Sequence, residues 1–527
     1  MTERIKKILD QATNGVGEVM IPENAEFGHY STNAAFLLSK SYKKPPLQVA
    51  QEIAERIERF DEEKILDKVT VAAPGFVNFW VNKKVFKEEL ARVISQEQIQ
   101  TTEPKQKINI EFVSANPTGP LTMANGRGGF LGDVLANVLS AVGHEVTREY
   151  YINDAGNQVK LLGESILAAL GKMKAKEEHY RGAYVQELAK KLNGKFKKED
   201  PEMIGRLASK ELLKQIKVSL KKAGIQHDVW FSEYQNLRKG GLVDAVLNLL
   251  RQKGLVDEHD GAFWLKTSEI ADEKDRVLVK SDGQPTYFLA DIAYHYDKFV
   301  SRQFDKAIDI WGADHHGYIA RLKSGVKAMD LDANRLTILI TQLVRLIRGG
   351  KEIKMSKRKG EFVTMDELLS EVGADAARFF FLMHAPETHM DFDLDLAKER
   401  SMKNPVYYAQ YAYIRCKSIL EKANFALPED NAVLNLEKIE GEAEISLIKE
   451  LVKYPELVLA SAKDYQVSRL ARYAFDLARA VHNFYEKERV IVEDGELMSA
   501  RLNLIWATKE MLTRLFNLLG IAAPKKM

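Results

Sequence analysis

The chain has a single cysteine, Cys416, in 527 residues. That excludes an intrachain disulfide and a multi-cysteine zinc site, and it suits a reducing cytoplasm. Charge of one sign is also missing. Lys+Arg 77 against Asp+Glu 75 leaves a net charge of +2, so any nucleic-acid contact has to come from local patches. No uninterrupted apolar run reaches the ~18 residues of a membrane span, so no membrane partner is expected. The stretch Met1 to Gly17 lacks the apolar segment of a signal peptide. Fixed-period repeats and low-complexity tracts are absent. What remains is 45% hydrophobic and 29% charged, which excludes a mostly disordered chain, a collagen-like fibre and a membrane bundle. At ~150 residues per domain the length fits roughly three or four domains.

The pattern changes along the chain. Residues 1–100 read as a small α+β module: helix-like segments Leu47 to Phe60 and Val85 to Ile94 flank two strands around Pro74-Gly75. A polar linker, Thr101 to Lys107, follows. Lys107 to Val113 alternates as a strand, Gly126 to Val142 has helical spacing, and Glu145 to Ile152 reads as another strand. Strand, turn, helix, strand is the unit of a parallel sheet. Further strands are expected at Ala307 to Ile310 and Leu336 to Ile340. A helical insertion over about 165–250 interrupts the sheet. Gly171 to Lys222 carries 15 Lys+Arg against 7 Asp+Glu, which is either a solvated helix pair or a surface for phosphates. From 401 to 527 the pattern is helical, with one face formed by Leu470, Ala471, Ala474, Leu477, Ala478, Val481 and Phe484. The expected fold is α/β: a doubly wound parallel sheet over 101–400, an N-terminal α+β appendage over 1–100 and a C-terminal all-α bundle over 401–527.

Two segments carry chemistry. Ser114 to Gly129 stands where the first strand of the sheet hands over to its helix, the place where α/β sheets bind ligands and a helix N-terminus favours anions. Gly126, Gly128 and Gly129 are expected to let a ligand approach the backbone. The second segment is Gly349 to Gly360. Seven Lys or Arg fall between Arg345 and Lys359, a basic loop suited to a triphosphate, with a solvated charge run as the alternative. Asp314-His315-His316 lacks companion ligands at metal-like spacing, so no protein-held metal is expected.

The string Lys354-Met-Ser-Lys357 and the turn before Gly126 together resemble the two signature motifs of class I aminoacyl-tRNA synthetases. The surrounding text is similar to the arginyl-tRNA synthetase family: Phe27 to Asn33, Ala73 to Asn78, Tyr151 to Gln158, Asp282 to His295, Trp311 to Gly317, Asn404 to Ala412 and Leu519 to Met527. The resemblance covers essentially the whole chain. It implies an arginine–tRNA ligase of translation that joins arginine to the α-phosphate of ATP and passes it to the terminal adenosine of its tRNA, with Mg2+ accompanying ATP. Arginine, ATP and the tRNA for arginine are the implied partners, and a cytoplasmic monomer the implied state.

The resemblance also implies residues. Glu111, Ser114, Asn116, Asp154, Tyr287, Asp291 and Gln342 would line the arginine site. Pro117, Gly119, Ala124, Gly126, Gly312, Asp314, His315, Met355 and Ser356 would meet ATP. Thr122, Asn125, Lys354 and Lys357 would be catalytic. A planar five-donor cation is well held by carboxylates and a fixed aromatic ring. One departure stands out. The family's first motif normally places two histidines three apart, and this chain has Thr122-Met-Ala-Asn125. Both side chains can donate hydrogen bonds to phosphate, and neither can carry charge. A catalytically weakened tRNA-binding or regulatory paralogue is therefore a rival reading, and a class I enzyme for another amino acid is a second.

Overall fold

The computed structural model describes residues 1–22, 24–96, 99, 101, 104–353, 363–426 and 434–526. The N-terminal region runs α1 (Thr2–Thr13), β1 (Val19–Met20), β2 (Tyr30–Thr32), α2 (Ala34–Tyr42), α3 (Pro46–Phe60), β3 (Leu66–Ala72), β4 (Phe76–Val81) and α4 (Lys83–Ser95). Pro46 opens α3, where its missing N–H costs nothing. The buried stripe Val49, Ala50, Ile53 and Ile57 follows at helical spacing. Strands β3 and β4 form the expected hairpin, with Ala72 opposite Phe76. The two shorter strands complete a four-stranded sheet in the order β1-β2-β4-β3. Two- and three-residue strands carry no readable period, so the sequence pattern missed them.

The central region contains β5 (Lys107–Glu111), α5 (Met123–Ala141), β6 (Glu145–Ile152), α6 (Asn157–Ala169), α7 (Ala183–Leu192), α8 (Pro201–Lys222), β7 (Val229–Ser232) and α9 (Leu242–Gln252). It continues through β8 (Val256–His259), β9 (Ala262–Leu265), β10 (Arg276–Val279), α10 (Tyr287–Tyr296), β11 (Lys306–Gly312), α11 (Ile319–Ala328) and β12 (Leu336–Thr341). Five strands lie in the order β12-β11-β5-β6-β7, and all their pairings are parallel. This is the doubly wound order, and its direction reverses between β5 and β11, where ligands of such sheets bind.

The segment expected to be a helical insertion holds three helices, yet it also holds β7, which returns to the main sheet beside β6. The helices α6 and α8 meet backbone to backbone. A Cβ on Gly163 would fall 1.8 Å from the Pro201 carbonyl oxygen, and one on Gly205 would fall 1.8 Å from that of Val159. Strands β8 to β10 make a separate antiparallel ribbon in the order β10-β9-β8.

The chain then passes through β13 (Val344–Arg348), β14 (Lys351–Ile353), α12 (Met365–Val372), α13 (Ala374–Leu382), β15 (Met390–Asp393) and α14 (Leu394–Lys398). Five further helices follow: α15 (Pro405–Lys422), α16 (Glu442–Val452), α17 (Tyr454–Asp464), α18 (Ser468–Lys487) and α19 (Gly495–Leu519). The apolar face expected on α18 is buried, and Cys416 is buried on α15, where burial pushes its thiol up to about 12. One buried side chain ties the last helices to the catalytic sheet. Arg378, 1% exposed, pairs with Asp133 of α5 at 2.6 Å and donates to the Leu519 and Ala223 carbonyls. Gly520 caps α19 at φ +66, and a Cβ there would fall 2.2 Å from the Arg378 guanidinium.

Candidate active site

The crevice between β5 and β11 is built on a strained turn. The expected strand to Val113 stops at Glu111, because Val113 and Ser114 take the left-handed conformation at φ 68 and 35. A β-branched residue there is an outlier, a pattern that clusters at ligand sites. The turn is held from several sides. Ser114 Oγ accepts from the Tyr151 N–H at 3.0 Å. Tyr150 Oη donates to the Ala115 carbonyl at 2.7 Å. Asn116 Nδ2 donates to Gln158 Oε1 at 2.6 Å. The side chains of Ser114 and Asn116 are thus tied to β6 and α6.

A pocket for a cation lies beyond the ends of β6 and β7. Asp291, on the first turns of α10, accepts from Tyr318 Oη at 2.5 Å. Burial raises its carboxyl to about 7, and the neighbouring charges of Glu233 and Glu111 push in the same direction. Glu233 follows β7 directly and is 1% exposed. Its carboxyl is also raised by burial, against the pull of Arg238, whose Nε donates to Glu233 Oε1 at 2.8 Å. Asn153, with its amide turned to suit its neighbours, donates to Glu233 Oε2 at 3.2 Å. Tyr287, 48% exposed, stands one helical turn before Asp291 on α10. A half-buried carboxylate and a buried one already paired with Arg238 thus stand beside an exposed aromatic ring, groups of the kind that can hold a planar cation.

Other expected members of this pocket have different partners. Asp154 accepts from Ser232 Oγ at 2.6 Å and the Tyr234 N–H at 2.9 Å. It therefore braces the turn that carries Glu233. Glu111 accepts from the fully buried Lys298 at 2.9 Å, and Lys298 also donates to Asp309 at 2.8 Å. His295 Nε2 lies 2.9 Å from the other Asp309 oxygen, and its Nδ1 lies 2.8 Å from the Asp291 carbonyl. Burial opposes the charge on Lys298, yet Asp309 and Glu111 outweigh it and hold its pKa above the usual lysine range. This network lies beneath the sheet and fixes α10 against β5 and β11. Gln342 turns its side chain to the Leu343 N–H at 3.2 Å, and its carbonyl accepts from Arg127 at 2.8 Å. Arg127, which the sequence did not single out, also grips the Ala385 and Thr388 carbonyls. Burial lowers its pKa to about 10.

At the anion end, Thr122 is the N-cap of α5 and forms a capping box with Asn125. Asn125 Oδ1 accepts from the Thr122 N–H at 2.9 Å and the Thr122 hydroxyl at 3.0 Å. The oxygen side of Asn125 is thus engaged, and its NH2 keeps donor capacity for an anion at the positive end of α5. Ala124 is exposed beside it. Pro117 is buried and Gly119 half-buried in the preceding turn. Gly126, Gly128 and Gly129 are buried. A Cβ on Gly126 would face Phe130 and Phe381, and one on Gly129 would fall 2.8 Å from Ile225. Gly129 thus lets α5 seat closely against Ile225. Gly312 ends β11, and Asp314 and His315 follow in an exposed 3₁₀ turn, 3.6 Å apart.

Lys354, Met355, Ser356 and Lys357 lie outside the described residues. Both flanks of their segment are described. Ile353 ends β14, and the Val363 carbonyl accepts from the Met123 N–H at 3.1 Å. Met365 N–H in turn donates to the Leu121 carbonyl at 2.9 Å. The chain that leaves the basic segment is therefore laced to the start of α5.

Three family models match the chain: the arginyl tRNA synthetase N terminal domain over residues 1–81, the catalytic domain of tRNA synthetases class I (R) over 89–380, and the DALR anticodon binding domain over 409–527. An arginine–tRNA ligase of Carboxydothermus hydrogenoformans is 42% identical, with 97% of this chain and 94% of that protein covered. One from Bacillus pumilus is also 42% identical, with 96% and 94% covered. Among solved structures, the Thermus thermophilus arginyl-tRNA synthetase superposes with a TM-score of 0.80 over 100% of both chains at 22% identity, a likeness of fold.

Proposed function

The chain belongs to the arginyl-tRNA synthetase family, and from that premise we propose that it activates arginine with ATP and transfers it to the tRNA for arginine. The observation that carries this reading is a pair of carboxylates, the half-buried Asp291 and the buried Glu233, both raised by desolvation, with the Glu233 charge adding to the shift at Asp291. The substrate guanidinium would supply a positive charge to Asp291, since Glu233 already has Arg238, with the ring of Tyr287 beside it. The arginine carboxylate oxygen then attacks the α-phosphorus of ATP, and the bond to pyrophosphate breaks. In the second step a ribose hydroxyl of the terminal adenosine attacks the arginyl carbonyl carbon. AMP departs, and the hydroxyl proton is released.

Gly312, Asp314 and His315 are proposed to meet the ribose and adenine, and Pro117, Gly119, Ala124, Gly126, Met355 and Ser356 the rest of ATP. The NH2 of Asn125, Thr122 and the start of α5 are proposed to meet the phosphates, the Thr122 hydroxyl turning from the Asn125 oxygen to do so. Lys354 and Lys357 would balance the charge that builds on pyrophosphate. Mg2+ would arrive with ATP. Among the described residues no group of three or more His, Cys, Asp or Glu could hold a metal by itself. Residues 401–527 are proposed to read the anticodon, residues 1–100 to contact the tRNA elsewhere, and 101–400 to house the chemistry. We take the enzyme to work as a cytoplasmic monomer. Among the described residues no helix is long and apolar enough to cross a membrane.

A second reading, the weakened paralogue, is favoured by one observation: Thr122 and Asn125 face each other in a capping box. Arginine-dependent exchange of pyrophosphate into ATP, with the tRNA present, separates the two. The account expects exchange with arginine and none with citrulline, the neutral isostere, since a charge-built pocket rejects a ligand that leaves its carboxylates unpaired. Absence of exchange and of charging would favour the paralogue. Equal use of citrulline would refute the carboxylate pocket.

A further inference from the structure

We propose that His295 is a positioning residue, a buried cation that keeps Asp291 in the anionic form able to receive a substrate guanidinium; this deepens the function proposed above and rests on it. His295 is 2% exposed and lies one helical turn after Asp291 on α10. The geometry of the ring fixes its charge. Nδ1 lies 2.8 Å from the Asp291 carbonyl oxygen, and Nε2 lies 2.9 Å from Asp309 Oδ2. A neutral imidazole has one donor nitrogen and one acceptor nitrogen. Here both nitrogens meet oxygen, and neither oxygen brings a proton. The carbonyl has none to give, and Asp309 is held as a carboxylate by Lys298, whose Nζ donates to its other oxygen at 2.8 Å. Turning the ring over would aim carbon at both oxygens. Both ring nitrogens therefore donate, and His295 is an imidazolium.

The surrounding charges give that cation its part. Among the described residues, the titratable groups around His295 and Asp291 are Asp309 from β11, Glu111 from β5, Glu233 after β7, Tyr151 from β6, Tyr318 before α11 and Lys298 after α10. Arg321 of α11 lies beyond them, over the Tyr318 ring at 5.2 Å. Glu149 of β6, which Tyr294 bonds, is paired with Arg302. The helix α9, the strand β10 and the end of α11 meet α10 through apolar residues such as Leu250, Leu278 and Ala328. Burial raises the Asp291 carboxyl to about 7; the Tyr318 hydroxyl and His295 oppose that rise, and Glu233 and Glu111 add to it. The other cations nearby are spent on carboxylates of their own, Lys298 on Asp309 and Glu111, and Arg238 on Glu233. The imidazolium is thus the charge that favours the Asp291 anion while the pocket is empty. Being buried beneath the helix, it acts on substrate through Asp291.

The test follows arginine binding to the full chain by calorimetry between about pH 6 and about pH 9.5, for the unmutated protein, His295→Gln and His295→Asn. Gln keeps a neutral donor toward Asp309, and Asn keeps one toward the Asp291 carbonyl. The unmutated chain should gain affinity as pH rises through about 7. In both variants that midpoint should move up by about 1 pH unit or more, the low end of what an opposite charge at this range does to a carboxyl. Their arginine affinity should then be roughly 5-fold lower at pH 7 and should converge on that of the unmutated chain near about pH 9.5. A purely structural role would weaken binding equally at every pH. Thermal melts show which variants are folded, and either one suffices. Selective 15N labelling of the eleven histidines reads the unmutated chain directly: one ring should carry protons on both nitrogens in the arginine-binding form. A folded variant with an unshifted midpoint, a pH-independent loss of affinity, or the absence of such a ring would overturn the inference and leave the arginine pocket standing. An unmutated chain that binds no arginine at any pH would overturn the functional reading itself.

Discussion

Asp291 gives the account its sharpest consequence. Its carboxyl is raised by burial to about 7 from an ordinary 3.8. A carboxylate shifted upward costs stability when it ionises. The cost is absent below the unfolded pKa near 3.9, grows as pH rises, and levels off above the folded value near 7. A shift of about three units, at ~1.36 kcal/mol each, gives a ceiling of about 4 kcal/mol at pH 8 and about 1.5 kcal/mol at pH 5. Asn keeps an acceptor for the Tyr318 hydroxyl and never ionises. Asp291→Asn should therefore be more stable than the unmutated protein at pH 8, with a difference that shrinks toward pH 4. Arginine should raise the melting temperature of the unmutated protein, most above pH 7 where the carboxylate is charged, and should barely move the variant. Thermal melts at pH 5 and pH 8 with and without arginine read all four combinations. A variant no more stable at pH 8, or an equal arginine shift in both proteins, would refute the reasoning.

Asn125→Ala should lower the turnover of arginine activation by about 100- to 1000-fold, the ~2.7–4 kcal/mol of one oxyanion donor, with ATP affinity changed far less. Its melting temperature should fall only slightly through loss of the capping box, and silence in turnover would show that the tetrad has lost its catalytic part. Lys357→Ala should be at least as damaging in the same exchange assay, because Thr122 and Asn125 of the other motif are neutral. Arg378→Met should destabilise the fold by ~3–5 kcal/mol by leaving Asp133 buried without its partner, which urea unfolding would show as a lower midpoint. The same contact explains why removing the last helices is no clean test of tRNA binding: Leu519 and Arg378 are part of one core.

The sequence revealed long elements and hid short ones. Glu145–Ile152 is observed as read, and α5 begins three residues before the expected Gly126 because Thr122 caps it. β7, four residues long inside a basic helical stretch, was invisible, and with it went Glu233, which owes its place to that strand's C-terminal end. Knowing that β7 joins the sheet would have pointed to Glu233, since ligands gather where parallel strands end. Asp291 and Tyr287 were legible through the resemblance, and the structure supplies their reason, one face of α10. Glu111 and Asp154, named for the arginine site, are also held by Lys298 and Ser232. Such partners lie far apart in sequence, and no local pattern announces them. The glycines after Asn125 read as ligand approach, and the structure adds at Gly129 a close packing contact with Ile225, distant in the chain, that no local pattern shows.

The central claim is that the Asp291–Glu233 pocket commits this chain to arginine. The measurement that tests it most directly is ATP-dependent charging of total tRNA with each of the twenty amino acids in turn. The account predicts stable esterification of arginine alone, with AMP and pyrophosphate formed. Charging with a different amino acid, or with none, would contradict it.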